Sequence, residues 1–140
     1  SYQFVRNDGD VLSIKYQVNR YYTGAAHGGS ESVAKNYLLN PLSIVSVNRL
    51  FNAGYLERFS ELSRESLLLD PNKDRKWIYR GTEPTEQHFR SINISDTGLL
   101  ISFDEYQVDC FAAGPQVVEI KALDIDDFIK PKVRYLWAHA

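Results

Sequence analysis

The sequence predicts an α+β fold: an antiparallel sheet packed against one main amphipathic helix, with a short C-terminal helix, in a single domain over residues 1–140. Three observations predict it. Residues alternate apolar and polar from Leu12 to Tyr22, the period of a half-buried strand. Tyr55, Leu56, Phe59, Leu62 and Leu69 recur at near-helical spacing within 53–69. Short apolar runs separated by turn residues fill the second half, as in an antiparallel meander. A chain of 140 residues can bury a core without disulfides or metals.

Each element has its own justification. Leu12, Ile14, Tyr16, Val18 and Tyr22 point one way along the first strand, interrupted by Arg20, while Ser13, Lys15, Gln17 and Asn19 point the other. The glycine-rich stretch 23–30 reads as a loop, and 32–40 resumes extended character with Val33, Tyr37 and Leu39 on one side, so the two strands form a hairpin. Pro41 to Ile44 breaks the pattern, and Ser46 offers an N-cap for a short turn through Leu50 and Phe51. The amphipathic helix over 53–69 ends at Asp70-Pro71-Asn72. Residues 71–88 are polar apart from Trp77-Ile78-Tyr79 and read as a long connection touching the body through Trp77. Ile92 and Ile94 lead into the turn Ser95-Asp96-Thr97-Gly98, where Gly98 is expected to take a positive φ, and Leu99 to Phe103 return. Gly114-Pro115 turns the chain into a strand with Val118 and Ile120 on one face. Asp124 then caps a short helix through Ile129, stopped by Pro131.

Composition narrows the function classes. The net charge is −2 and the basic residues are scattered, so the patch that nucleic-acid binding needs is missing. No apolar run approaches the ~20 residues that span a bilayer. The single Cys110 forms no intramolecular disulfide and does not distinguish one redox compartment from another. With no Met and Ser at position 1, the chain reads as a processed piece of a longer product, with any leader already removed.

From Ile92 to Ile129 the pattern becomes specific. A hairpin ending in Asp-x-Gly-Leu is followed by Phe103-x-x-Tyr106-Gln107-Val108, then Ala112-Ala113-Gly114-Pro115, then Val118-x-Ile120 and a short helix. Upstream, Tyr21, Tyr22, Gly24, Ala26 and His27 form a tyrosine-rich strand end running into a glycine-alanine-histidine loop, and Val47, Leu50 and Phe51 precede a helix near Tyr55-Leu56. Over roughly residues 20–130 this order of elements resembles the bacterial domain-of-unknown-function 3298 family, found in RsiV-like anti-sigma factors and PdaC-like proteins. The chain departs from the family pattern in having Ala25 at the loop's second glycine and Asp109-Cys110-Phe111 where Ala-Pro-Tyr is frequent. The resemblance implies an extracytoplasmic domain at the periplasm or cell surface, with the domain that usually precedes it absent or reduced to the first strand. In RsiV-like proteins this region senses lysozyme by binding it; in PdaC-like proteins the chemistry lies in a separate deacetylase domain.

Several side chains are candidates for chemistry, and each has a structural alternative. His27 matches a family position and could be a ligand or general base, but His88 and His139 share no metal-ligand spacing with it, so a loop histidine that fixes the hairpin is preferred. Cys110 has apolar neighbours and reads as a core thiol rather than a nucleophile paired with His27. Asp104 and Glu105 are adjacent, so in extended chain they face opposite sides and cannot flank one glycosidic bond; a solvated turn is expected. Asp124, Asp126 and Asp127 lack calcium-loop spacing and read as charge at a helix N-terminus. Tyr21, Trp77 and Tyr79 fall on loop or polar-facing positions where aromatic rings act as binding anchors, although Trp77 packing its connection onto the body is the preferred alternative.

The expected function is therefore a non-catalytic extracytoplasmic binding or sensing module, with no catalytic residues, metal or cofactor. Its partner would be a protein of lysozyme type or a cell-wall glycan, and His27 with the three aromatic residues would form its binding set. One rival is a glycan hydrolase using a carboxylate with His27, which loss of activity in a folded His27→Ala variant would favour. The other is a structural half-domain that completes its sheet with a missing N-terminal part, which an exposed apolar sheet edge or dimerisation would favour.

Overall fold

Alternation in the first forty residues folds into a four-stranded antiparallel sheet, β1 (Tyr2–Asn7), β2 (Val11–Arg20), β3 (Gly29–Leu39) and β4 (Leu42–Ile44), in that spatial order. The computed structural model describes residues 1–24, 28–110 and 113–140. β2 and β3 are the expected hairpin, in register from Val11 opposite Leu38 to Arg20 opposite Gly29. β4 occupies the stretch expected only to break the pattern: after a cis Asn40-Pro41 bond the chain returns to pair Ile44 with Tyr37. Val47–Leu50 form a 3-10 turn; Ser46 precedes it but makes no side-chain cap.

Two helices follow. The first, α1 (Tyr55–Leu67), buries Phe59, Ser60, Ser63 and Leu67, whereas Leu69, assigned to its stripe from sequence, lies past the C-cap and is exposed. The second, α2 (Arg75–Gly81), corrects the reading of 71–88 as a connection. Asp74 caps it, its side chain accepting from the Trp77 amide at 3.1 Å, and Ile78 supplies its buried anchor. Seven residues give too little periodicity for a helix to stand out, so the cap was its one local signal.

The second half builds a three-stranded antiparallel sheet from β5 (Ile92–Ile94), β6 (Gly98–Phe103) and β7 (Gln116–Lys121). Ile92, Ile101 and Val118 form one cross-strand row and Ile94, Leu99 and Ile120 the next, all buried on one face. α1 packs on that face, and an aromatic chain runs through the core: Phe51 to Phe59 at 5.3 Å, Phe59 to Phe89 at 6.0 Å and Phe89 to Phe103 at 5.8 Å between ring centroids. Gly98 is glycine for a reason other than the one expected. Its φ is not in the left-handed region; a Cβ there would lie 1.9 Å from the carbonyl oxygen of Ile120 on the neighbouring strand. Gly114 does take a positive φ, 72°.

The C-terminus is two 3-10 segments, Ala122–Phe128 and Pro131–Trp137. Lys121 rather than Asp124 is the first N-cap, and Pro131 starts the second segment, its fixed φ suiting a first turn. Trp137 folds back into the core, its indole nitrogen donating to the carbonyls of Ser95 and Gly98 at 3.2 and 3.0 Å.

The two sheets meet through side-chain amides. Among the described residues β5 has one edge without a strand partner, and Asn36 of β3 lies along it. Asn36 Oδ1 accepts from the Ile94 amide at 3.0 Å and its Nδ2 donates to the Ile92 carbonyl at 2.8 Å, so one side chain supplies the donor and acceptor of a missing strand. Ser13 donates to Asn36 at 2.6 Å and accepts from Asn93 at 2.9 Å. The inward face of β2 and β3 carries Val11 and Leu38 at one end and beyond them a polar row, with Ser13, Ser32 and Asn36 buried, while Leu12, Ile14, Tyr16 and Val18 face outward.

Candidate functional site

The polar stretch between α1 and β5, together with the turn after β6, forms an aromatic groove. After Phe103 the chain must reverse, and it does so with Gln107 N–H donating to the Asp104 carbonyl at 3.1 Å. This places Tyr106 at φ 66°, a left-handed conformation that costs a residue with a side chain about 1 kcal/mol. The Tyr106 ring stays 49% exposed. Its carbonyl accepts the Trp77 indole N–H at 2.7 Å, locking the tryptophan beside it.

One half-buried amide organises the site. Gln107 Nε2 donates to the carbonyls of Gly81 and His88, at 2.9 and 2.8 Å, and its Oε1 accepts from the Asp104 amide at 3.3 Å. It thereby ties the end of α2 and the turn before β5 to the β6 turn. Gly81 is required at this crossing, since a Cβ would lie 1.9 Å from the Gln107 carbonyl oxygen. The resulting groove, about 430 Å³, is lined by Trp77, Arg80, Gly81, His88, Tyr106 and Gln107. His88 Nδ1 shares a 2.7 Å hydrogen bond with the Thr85 hydroxyl. The lining holds two aromatic rings, a guanidinium and an imidazole, and none of its residues is a carboxylate.

The residues singled out from sequence fare differently. Trp77 lines the groove. Tyr79 does not: the guanidinium groups of Arg64 and Arg75 lie 4.1 and 4.8 Å from its ring centroid, and Arg75 donates to its hydroxyl at 2.8 Å. Those contacts make Tyr79 a packing residue between α1 and α2. Tyr21 is 73% exposed just beyond β2 and is not part of the groove lining. His27 lies outside the described residues, as do Ala25, Ala26, Phe111 and Ala112. Tyr106, Arg80 and His88 were missed as site residues. Tyr106 stands in the family-like Phe-x-x-Tyr-Gln-Val string, but a left-handed turn at a tyrosine has no composition signal, and His88 has no metal-ligand spacing that would single it out.

Two readings of acidic and thiol groups are corrected. Cys110 is exposed, because Val108 takes the core position and the Cys110 amide turns back to its neighbour Asp109 at 2.8 Å. Asp104 and Glu105 do open a turn, as expected, but their carboxylates are not solvated. Both reach the same strand: Asp104 Oδ1 accepts from the Ser32 amide at 2.8 Å and Glu105 from the Ser30 hydroxyl at 2.7 Å, while Asp104 also pairs with Arg90. They pin β3 to the turn that carries Tyr106. Asp109 is held below the usual carboxylate range, chiefly by Lys73, whose ammonium also bonds Gln116 of β7. Among the described residues no three His, Cys, Asp or Glu side chains gather as a metal centre requires, and no helix is long and apolar enough to cross a membrane.

Two antiparallel sheets joined by side-chain amides, with one helix-covered core and an aromatic groove at its flank, define an α+β domain of a recurring design. The chain belongs to the family described as protein of unknown function DUF3298, whose model matches residues 48–122. The fold is similar to that of a solved DUF3298 family member from Bacteroides fragilis NCTC 9343, with a TM-score of 0.74 and 19% identity, over 94% of this chain and 53% of that one. It is also similar to a DUF3298 family protein from Pseudomonas aeruginosa PAO1, with a TM-score of 0.68 and 14% identity, over 97% of this chain and 62% of that one. The chain therefore spans little more than half the length of these two proteins. No curated protein matches it.

Proposed function

We propose that this domain is a non-catalytic recognition module of an extracytoplasmic bacterial protein, and that the Trp77–Tyr106 groove is where it engages a protein partner. One observation carries the reading: an exposed tyrosine is held in a left-handed backbone conformation beside a tryptophan whose indole N–H is fixed to that tyrosine's own carbonyl. A strained aromatic residue that contributes little to the core is the kind of position where stability is given up for function. Tryptophan, tyrosine and arginine are also the side chains that dominate binding energy at protein interfaces, and all three line this groove. Hydrolysis of a glycosidic bond needs two carboxyl groups across it. The groove lining offers none, and Asp104 and Glu105 are committed to β3. The extracytoplasmic setting and the sensing role rest on the resemblance to RsiV-like proteins.

The test is a calorimetric titration of the chain with lysozyme, and separately with soluble cell-wall glycan. Saturable binding to lysozyme that Trp77→Ala weakens at least about tenfold, with the fold intact by circular dichroism, is the expected result. Binding to the glycan alone, lost in the same variant, would move the partner from protein to carbohydrate. Turnover of the glycan by the folded chain would overturn the non-catalytic reading.

A further inference from the structure

We propose that the cleft between the two sheets, on the side of the three-stranded sheet away from α1, binds a zwitterionic small molecule: an amino acid or dipeptide with an apolar side chain, its carboxylate on Lys15 and its ammonium on Glu119. The cleft measures about 530 Å³, inside the range of roughly 300–1,000 Å³ usual for small-molecule sites, and it shares no lining residue with the Trp77–Tyr106 groove. Gln3 and Val5 of β1 with Lys15 of β2 build one wall. Leu100 of β6 with Val117 and Glu119 of β7 build the other.

Register explains why both walls face the same space. Lys15 stands two residues from Ser13 and so shares the inward face of β2, with Gln3 opposite it on β1. Leu100 pairs with Glu119, one residue out of phase with the Leu99–Ile120 row that α1 covers, so both point to the reverse face of their sheet. Lys15 is the anomaly on its wall. Ser13 donates to Asn36 at 2.6 Å, and the Gln17 amide bonds the hydroxyls of Ser30 and Ser32 at 3.0 and 3.2 Å. The Lys15 ammonium makes no hydrogen bond or ion pair with a described residue. Burial pushes it below the usual lysine value; Asp104 pulls the other way, but that carboxylate is already taken by the Ser32 amide and by Arg90. A half-buried charge without a partner costs stability, and such perturbed groups in clefts gather at functional sites. Glu119, on the facing wall, is exposed and likewise unpaired among the described residues. The two do not pair with each other, so the cleft presents a separated positive and negative charge beside the apolar lining of Val5, Leu100 and Val117. That pattern complements a dipolar ion with an apolar body. A simple anion would meet Glu119 and Asp96, and a simple cation would meet Lys15.

Calorimetric titration of the chain with leucyl-leucine, its N-acetyl derivative and its C-terminal amide tests this. The free dipeptide is expected to bind saturably, and blocking either end should weaken it at least about tenfold. Lys15→Met should abolish the preference for the dipeptide over its amide, and Glu119→Gln the preference over the acetylated form. Lys15→Met removes an unpaired charge and Glu119 is exposed, so both variants should melt no lower than wild type. If Lys15→Met does not fold, the Glu119→Gln comparison still decides. No saturable binding of the free dipeptide or of leucine up to about 10 mM overturns the site, as does binding that neither variant changes. An acetylated dipeptide that binds as tightly as the free one overturns the zwitterionic class.

Discussion

The two sheets of this molecule use opposite faces. The three-stranded sheet turns its isoleucine, leucine and valine rows inward onto α1, while the four-stranded sheet turns inward Val11 and Leu38 at one end and serine and asparagine over the rest, and leaves most of its apolar residues outside. The first is held by burial, which is non-directional and tolerates small shifts. The second is held by a few hydrogen bonds whose geometry must be met, centred on Asn36, Ser13 and the free edge of β5. Two physical regimes therefore adjoin within one domain, and each should fail in its own way.

Breaking the apolar regime should have the largest effect. Phe59 is fully buried and touches Phe51, Tyr55 and Phe89, so Phe59→Ala should cost about 4 kcal/mol in urea denaturation. The polar regime should cost less per substitution but in a localised way. Asn36→Ala leaves the Ile92 carbonyl buried without its partner and removes the acceptor of Ser13, a loss of about 2–3 kcal/mol. Amide exchange separates the two: Asn36→Ala should raise exchange first at Ile94, whereas Phe59→Ala should raise it throughout the three-stranded sheet. Equal, global exchange in both variants would mean that the two sheets are one cooperative unit.

That contrast also explains what could be read from the chain in advance. The fold class, the β2–β3 hairpin, α1 and the β5–β6–β7 meander were legible because periodicity in Leu12–Val18, Tyr55–Phe59 and Leu99–Phe103 reports directly on a side-chain face. Which face of β2 turns inward was not legible. That depends on Asn93 and the β5 backbone, 79 residues or more away in sequence, offering hydrogen bonds to Ser13 and its neighbour. α2 was hidden by its length, and the groove by its dependence on a tyrosine in a glycine-like conformation. Trp77 could be suspected, but its neighbours Tyr106 and His88 come together only through the Gln107 amide. Local signals give elements; long-range polar contacts assemble the site.

Acid should act on the polar regime first. Burial works against the charge of Asp8, but backbone donors at Asp10 and Val11 and the Arg6 side chain outweigh it, so its carboxyl sits below the ordinary value. A carboxyl depressed on folding contributes stability above its unfolded pKa of about 3.9, and that contribution disappears as pH falls through the folded value. Arg6 also donates to the Ser95 carbonyl at 3.2 Å, so protonating Asp8 loosens the link between β1 and the β5–β6 turn. Denaturation followed from pH 7 downward should show Asp8→Asn less stable than wild type at neutral pH, with the gap closing below about pH 4. A gap that persists unchanged in acid would place the effect in the turn geometry rather than in the charge.

The smallest stability change belongs to the residue with the largest expected effect on binding. Tyr106→Gly relieves a left-handed strain of about 1 kcal/mol but loosens the unfolded chain by a similar amount, so its melting curve should match wild type within about 1 kcal/mol. The carbonyl that holds the Trp77 indole is kept, and the tyrosine is 49% exposed. Core aromatics of the three-stranded sheet, such as Phe59, offer no such separation, because removing them unfolds what they support. If Tyr106→Gly is as stable as wild type and no longer engages a partner, the tyrosine is held in that conformation for recognition. If it destabilises by as much as Asn36→Ala, the ring is part of the packing, and the groove loses its claim to function.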